Sequence, residues 1–178
     1  MAAPFSWSFV TAQATPPPGQ CPCSIWPNSP LPPTPDANDT NSVNLGVKFT
    51  SSSNGYITGI RFYQGPTNTG THVGSLWTST GTLLGQVTFA SSSTAGWQQA
   101  TFAAPIPVTA GTTYVASYLA PKGEYAVQEN GLPNSVTYGP LTALASGGVY
   151  AYATSSTMPT KTYNQDNYFV DVVFSTTS

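Results

Sequence analysis

The chain has 178 residues, of which only four are Lys or Arg and six are Asp or Glu, for a formal net charge of −2. Charged residues make up 6% of the chain, against about 25% in an average soluble domain. This charge argues against nucleic-acid binding, which needs a cationic surface. No window approaches the roughly 18 apolar residues of a membrane span. Few helix formers and many β-branched and aromatic residues predict a single all-β domain.

The N-terminal part of the chain differs from the rest. The first 14 residues, MAAPFSWSFVTAQA, end in a small-residue pattern like a signal-peptidase site but lack a basic region. We therefore interpret these residues as a boundary of the expressed chain or as a short strand that pairs elsewhere, in preference to a signal remnant. Nine prolines between residues 15 and 38 favour an extended, semi-rigid arm. We therefore divide the chain into an N-terminal extension, residues 1–38, and a β-domain, residues 39–178.

From residue 39 on, turn residues recur about every 8 to 12 positions, which is typical of a sandwich or barrel. We predict a jelly-roll-like β-sandwich of about eight strands. They are Val43–Thr50, Tyr56–Gln64, His72–Ser79, Thr82–Ala90, Trp97–Phe102, Thr112–Leu119, Val149–Ala153 and Tyr168–Ser175. Asn54-Gly55 and Thr80-Gly81 are hairpin-type turns, and residues 120–148 form a long connection.

The alternation of apolar residues assigns the faces of two of these strands; in the last strand, Tyr168, Val170, Val172 and Phe174 are predicted to share one face, with Val173 breaking the pattern. Leu83, Val87 and Phe89 are predicted to share one face of the fourth strand, with Leu84 breaking the pattern.

Two cysteines, Cys21 and Cys23, flank a proline. A disulfide between residues two apart closes a very small ring, and the spacing does not suit a zinc site. A local disulfide and two free or externally paired thiols are equally weighted interpretations.

Aromatic and amide side chains are the best candidates for ligand contact. Sugars bind proteins by stacking their C–H faces on Trp and Tyr rings beside neutral hydrogen-bonding groups. Trp77 and Trp97 lie between apolar neighbours in strands and are expected in the core. The predicted ligand-binding residues are Tyr118, Tyr125, Gln128 and Tyr150.

The few acids and the single histidine allow little catalysis. Asp36, Asp39 and Asp171 are candidate calcium ligands, since hard cations prefer oxygen ligands; the alternative is that they make turns and local hydrogen bonds. His72 is expected to be a hydrogen-bonded structural residue. Glu124 and Glu129 are a weak candidate for a glycosidase pair. We expect no enzyme.

Several spaced motifs resemble a known family. They are Leu45-Gly46-Val47-Lys48-Phe49, Gly59-Ile60-Arg61-Phe62-Tyr63, Asn68-Thr69-Gly70-Thr71-His72-Val73-Gly74-Ser75-Leu76-Trp77, Gly96-Trp97-Gln98-Gln99, Gly111-Thr112-Thr113-Tyr114-Val115-Ala116-Ser117-Tyr118, Gly139-Pro140-Leu141 and Asn167-Tyr168-Phe169-Val170-Asp171-Val172. With Cys-Pro-Cys-Ser-Ile-Trp at the front edge, the resemblance is to the bacterial domain-of-unknown-function family 4082, over roughly residues 21–175.

The resemblance implies a jelly-roll sandwich of the carbohydrate-binding kind on secreted or cell-surface proteins, and it implies no established activity. Two positions depart from the family pattern: Asn44 stands where an acid is usual, and Glu124 where a histidine is common. The first weakens the calcium hypothesis. Arg61 and Lys48 lie inside the motifs and are expected to be paired, with Asp171 the natural partner of one of them.

Two functions follow as hypotheses. The first is a non-catalytic extracellular or cell-surface module that binds a glycan. The alternative is a structural subunit of a surface fibre, whose arm contacts a neighbouring copy or tandem domain through Ile25 and Trp26. The low charge suits both, because neutral hydrogen bonds and ring faces serve sugars, and weak repulsion serves packed copies.

Overall fold

The computed structural model describes residues 21–29 and 31–178; the hypotheses on residues 1–14 lie outside them. The fold is the predicted all-β sandwich, with two antiparallel sheets and no helix in the described residues, and so no helix that could cross a membrane there. The nine strands are β1 Val43–Ser51, β2 Gly55–Gln64, β3 Val73–Thr78, β4 Leu83–Thr88, β5 Gly96–Val108, β6 Tyr114–Ala120, β7 Val136–Tyr138, β8 Leu141–Tyr152 and β9 Val170–Ser175.

A six-stranded sheet in the order β4-β3-β6-β1-β8-β7 faces a three-stranded sheet in the order β5-β2-β9. All eight predicted strands are present. The short β7 and the first part of β8 were missed, because both lie in the stretch 120–148 that was assigned to a connection. Strand β5 runs past Phe102 through Pro105 and Pro107, which an edge strand tolerates because one side of its backbone is unpaired.

One of the two predicted hairpin turns is wrong. Thr80-Gly81 does join β3 to β4 as a hairpin, and Gly81 has a φ of 100°. Asn54-Gly55 instead connects β1 to β2, which lie in different sheets. Gly55 is needed for close packing, since a Cβ there would collide with the Phe174 ring and the Ser175 carbonyl.

The face predicted for β4 is partly wrong. Leu76 pairs with Gly85 but Trp77 pairs with Leu83, so Leu84 is an extra residue in a bulge. A bulge reverses the alternation beyond it. Leu84 and Val87 therefore pack on the core, whereas Leu83 is 45% exposed.

The main core lies between the sheets, and its largest fully buried side chains include Tyr118, Phe49, Phe62 and Phe174. The rings of Phe62 and Tyr118 stack with centroids 4.0 Å apart. Of the two tryptophans expected in the core, Trp77 is buried in a second cluster with Val115 and Val149, and Trp97 packs partly buried against the main core.

The described part of the N-terminal extension belongs to this core. Cys21 and Cys23 are joined by a disulfide, and Cys23 exchanges two backbone hydrogen bonds with Phe174 of β9. Ile25 is fully buried and Trp26 is 9% exposed. The boundary drawn at residue 39 therefore does not separate residues 21–26 from the sandwich. These residues cover the open edge of the small sheet, which would otherwise present unpaired backbone groups.

The same contacts correct the prediction of assembly residues. Ile25 and Trp26 were predicted to anchor a neighbouring copy, but both are buried within their own chain. The indole Nε1 of Trp26 donates to the Val170 carbonyl at 2.8 Å. These two side chains therefore offer no surface to a partner.

Asp171 holds this segment through a buried carboxylate. Its Oδ1 accepts from the backbone N–H of Ile25 at 2.7 Å and of Val172 at 2.7 Å, and its Oδ2 accepts from Trp26 N–H at 3.1 Å. Arg61, opposite Asp171 in β2, forms the expected ion pair with Oδ2 at 3.4 Å. Burial raises the pKa of Asp171 to about 6, against the opposing effect of Arg61 and the three N–H groups.

The guanidinium of Arg61 has two further contacts. It lies over the Trp97 ring at 4.6 Å from the centroid and donates to Asn28 at 2.7 Å. Lys48, which was also expected to be paired, makes no ion pair or side-chain hydrogen bond with the described residues.

A second buried polar network involves His72. Its Nε2 lies 2.8 Å from Asn68 Oδ1, and the Asn68 amide donates to the Tyr118 hydroxyl at 3.2 Å. His72 is 5% exposed, and burial lowers its pKa from 6.5 to about 4. The histidine is thus a hydrogen-bonded structural residue, as expected.

Replacing Asp171 should be strongly destabilising. Asp171→Ala leaves two backbone N–H groups of the N-terminal segment and the Arg61 guanidinium without their acceptor, and we expect the free energy of unfolding to fall by roughly 3 to 5 kcal/mol. Urea unfolding measures it. The matched control Glu129→Gln changes an exposed carboxylate and should leave stability nearly unaltered. If the free energy of unfolding fell no more for Asp171→Ala than for Glu129→Gln, this would contradict the stabilising role of Asp171.

The lone histidine predicts a pH dependence. Because the folded pKa lies below the unfolded value, the stabilising contribution of neutral His72 is complete above pH 6.5 and is lost as the pH falls toward 4. The loss is roughly 2 kcal/mol at pH 5. Asp171 acts oppositely below pH 6, because its folded pKa is raised and protonation favours the folded state.

The two contributions are separated by comparing wild type with His72→Gln. Between pH 7 and pH 5, the free energy of unfolding of the variant should fall less than that of wild type, or rise more. Urea unfolding measures both. An NMR titration should show the imidazole of the folded wild type still neutral at pH 5. Parallel pH profiles for the two proteins would argue against the assignment.

Candidate functional site

The two sheets differ in width, and this difference creates a cleft. Strand β9, at one edge of the small sheet, packs against β6 and β1, and β5, at the other edge, packs against β4. The inner face of the C-terminal part of β8 is thereby left to the loops. Tyr150 pairs with Leu45 in the register, so its side chain points to the same inner face. The loops on either side of β7–β8 and the N-terminal segment surround this tyrosine.

The cleft has a volume of about 280 Å³ and is lined by aromatic rings and two carboxylates. The lining side chains come from four parts of the chain. They are Ala37, Tyr125, Val127, Glu129, Tyr150, Tyr152, Tyr163, Asp166 and Tyr168. We call this site the tyrosine cleft.

Edge-to-face contacts order the rings. Tyr125 and Tyr168 lie with centroids 5.8 Å apart, and Tyr150 and Tyr152 lie 5.7 Å apart. Such pairs stabilise by about 0.5–1.5 kcal/mol beyond their buried area. Tyr152 and Tyr163 are 53% and 59% exposed. The ring of Tyr150 thus contacts the exposed ring of Tyr152, and solvent reaches both Tyr152 and Tyr163.

The carboxylate of Asp39 is hydrogen-bonded to Tyr152, one of the residues that line the cleft. The Tyr152 hydroxyl donates to Asp39 at 2.6 Å. Burial alone would raise the pKa of Asp39, but the hydrogen bonds from Tyr152, Asn41 and Tyr125 together lower it. The same bond raises the pKa of Tyr152 to about 12. Asp39 is therefore ionised and the phenols neutral at neutral pH.

Asp166 and Glu129 supply the acidic side of the cleft. Asp166 is buried and accepts from the Asn130 N–H at 3.0 Å. Burial raises its pKa, and the negative charge of Glu129 adds to this rise. Both carboxylates are placed to accept hydrogen bonds from a ligand's hydroxyl groups.

The structure brings together only part of the predicted binding set. Tyr125 and Tyr150 both line the cleft. Gln128 is exposed beside it, and its backbone pairs with Asn167. Tyr118 was predicted wrongly: it is fully buried under Phe62 and cannot touch a ligand.

The three predicted calcium ligands do not converge. Asp171 is occupied by three N–H groups and Arg61, Asp39 by Tyr152 and Asn41, and Asp36 by the Thr67 N–H. No group of three or more His, Cys, Asp or Glu side chains suited to a metal occurs in residues 21–29 and 31–178. Calcium ligation by this set is therefore a wrong prediction.

The remaining sequence hypotheses concern Glu124 and Asn44. Glu124 accepts from the Asn38 N–H at 3.0 Å and does not line the cleft, so it is not placed there with Glu129. Asn44 is fully buried; its amide donates to the Ser155 carbonyl and accepts from the Thr157 N–H. These hydrogen bonds explain a neutral amide at this position, because a carboxylate could accept from the Thr157 N–H but could not donate to the Ser155 carbonyl.

The predicted binding set left out Tyr152, Tyr163, Asp166 and Tyr168, which also line the cleft. Tyr152 follows Tyr150 by two positions and so shares its face of β8, a signal that was available. The other three lie in the connection from β8 to β9, and only the fold brings that connection to the cleft.

Comparison with known proteins identifies the family. A search of curated proteins finds no match. The family model described as Domain of unknown function (DUF4082) matches residues 29–170, a narrower stretch than the 21–175 of the resemblance. The match contains every residue that lines the tyrosine cleft and ends one residue before Asp171. The chain belongs to the DUF4082 family of domains of unknown function.

Proposed function

We propose that this domain is a non-catalytic, extracellular or cell-surface module that binds a glycan in the tyrosine cleft. One observation carries the proposal: of four exposed large hydrophobic side chains in the described residues, two are tyrosines, Tyr152 and Tyr163, and both line this cleft. Exposed aromatic groups concentrated at one concave site mark a binding surface.

The chemistry of the cleft suits a sugar. Ring faces stack on the C–H faces of a pyranose, and the Glu129 and Asp166 carboxylates accept from its hydroxyl groups. No Lys or Arg lines the cleft, so an acidic sugar would meet carboxylates without a compensating cation. A neutral glycan is therefore the favoured ligand.

The extracellular location rests on two supporting features. Disulfides persist in oxidising compartments, and Cys21 and Cys23 are paired. The second feature is the composition, since little charge beside abundant Ser, Thr, Gly and aromatic residues is what we expect of a protein outside the cell.

The alternative of a fibre subunit is less well supported. Its described anchors, Ile25 and Trp26, are buried within their own chain. Any contact with a neighbouring copy by this arm would have to use other residues, such as Leu31, which is 61% exposed.

The proposal predicts retention on neutral polysaccharides. We expect slowed migration in affinity gels that contain a neutral glucan, xylan, mannan or chitin oligomer, and none with polygalacturonate. Tyr163→Ala removes an exposed ring and should weaken binding about tenfold, whereas Tyr152→Phe keeps the stacking face and should bind nearly as wild type.

Leu83→Ala is the matched control, since it removes an exposed apolar side chain from β4, at the far edge of the large sheet. It should leave retention unchanged. Absence of retention on every neutral glycan by folded wild-type protein would overturn the proposal, as would equal weakening by Tyr163→Ala and Leu83→Ala.

A further inference from the structure

Two further recesses adjoin the tyrosine cleft. One, of about 540 Å³, is lined by Asn41, Ser42, Tyr152, Ala153 and Thr154. The other, of about 400 Å³, is lined by Glu129, Asn130, Asn164 and Gln165.

Each recess shares a residue with the cleft. Tyr152 lines both the first recess and the cleft, and Glu129 lines both the cleft and the second recess. One recess therefore adjoins the cleft at Tyr152 and the other adjoins it at Glu129. We call the cleft and the two recesses together the extended groove.

We propose that the extended groove binds an internal segment of a linear, uncharged polysaccharide, with one or more sugar units in each depression. This inference rests on the proposed function and adds the class of ligand to it. A site for a terminal sugar would be closed at one side, whereas this groove continues beyond the cleft in two directions. The central depression alone, at about 280 Å³, lies at the lower end of small-molecule sites.

The chemistry changes along the groove in the way that a chain ligand requires. Aromatic rings occupy the centre, and the two outer recesses carry amides and hydroxyls. The side-chain amides of Asn130, Asn164 and Gln165 make no hydrogen bond with other described residues. They are free to donate to and accept from the hydroxyl groups of outer sugar units.

The backbone of the second recess supports a binding role. Asn130, Asn164 and Gln165 have φ values of 51°, 44° and 55°, in the left-handed region. Asparagine adopts this region at low cost, but glutamine does so rarely. Residues held in such conformations cluster at ligand sites. Here the turns are fixed by the bonds from Leu132 N–H to Gln165 O and from Asn130 N–H to Asp166.

The charge of the groove restricts the polysaccharide further. The side chains that line the three depressions include the carboxylates Glu129 and Asp166 and no Lys or Arg. Uronic-acid or sulfated chains would be repelled along the second recess and the cleft. The ligand class is therefore a neutral linear glycan.

The test is a length series measured by isothermal titration calorimetry. Gluco-, xylo-, manno- and N-acetylglucosamine oligomers, from the monosaccharide to the hexasaccharide, are titrated into the full chain. For the series that binds, we expect affinity to rise at least tenfold from the disaccharide to the longer oligomers and then to level off. The borohydride-reduced hexasaccharide should bind as well as the unreduced one, because an internal segment needs no free end.

Variants at the two ends locate the outer units. Asn164→Gly keeps the left-handed backbone but removes an amide, and Thr154→Ala removes a hydroxyl at the opposite end. Each should weaken the hexasaccharide about threefold to tenfold and leave the disaccharide unchanged, while Tyr163→Ala weakens both and Leu83→Ala neither.

The outcomes distinguish the two proposals. Equal affinity for the disaccharide and the hexasaccharide, or no effect of either end variant on the hexasaccharide, would overturn the extended groove while leaving glycan binding in place. Binding that is lost on reduction of the chain end would overturn it in favour of end recognition. A failure of every oligomer and polymer to bind would overturn both.

Discussion

The buried carboxylate of Asp171 is the interaction on which the small sheet depends. It joins β9 to β2 through Arg61 and to the N-terminal segment through the N–H groups of Ile25 and Trp26. Burying a charge is costly unless its oxygens are satisfied, and here four donors satisfy them. The clamp holds the N-terminal segment on the edge of the three-stranded sheet, because the carboxylate accepts from the two buried N–H groups of Ile25 and Trp26.

The small width of that sheet explains where the tyrosine cleft forms. Three strands do not cover six, so loop residues surround the C-terminal part of the inner face of β8. Loops carry polar and aromatic side chains that strands packed on both faces do not, and sites are often formed by loops held on a rigid scaffold. The tyrosine cleft and the recesses beside it arise from this mismatch between two rigid sheets.

Much of the fold could be predicted from the sequence, and less of the site. Alternation and turn spacing located eight strands, because a period of two is a local property. The same reasoning misplaced Leu83, since a bulge is decided by the partner strand. For the site, Tyr125 and Tyr150 were found but Tyr118 was not told apart from them. All three are tyrosines near polar residues, and only packing shows that Tyr118 lies under Phe62.

The sequence by itself determined an all-β chain with few charges, and it predicted that the buried charge of Arg61 would be paired. These follow from composition and from the cost of burying a charge. The tertiary structure alone decided that Ile25 and Trp26 are core residues, that Asp36, Asp39 and Asp171 do not meet, and that tyrosines from distant loops share one cleft. Convergence of residues far apart in the chain depends on how the strands are ordered in the sheets, which local patterns do not encode.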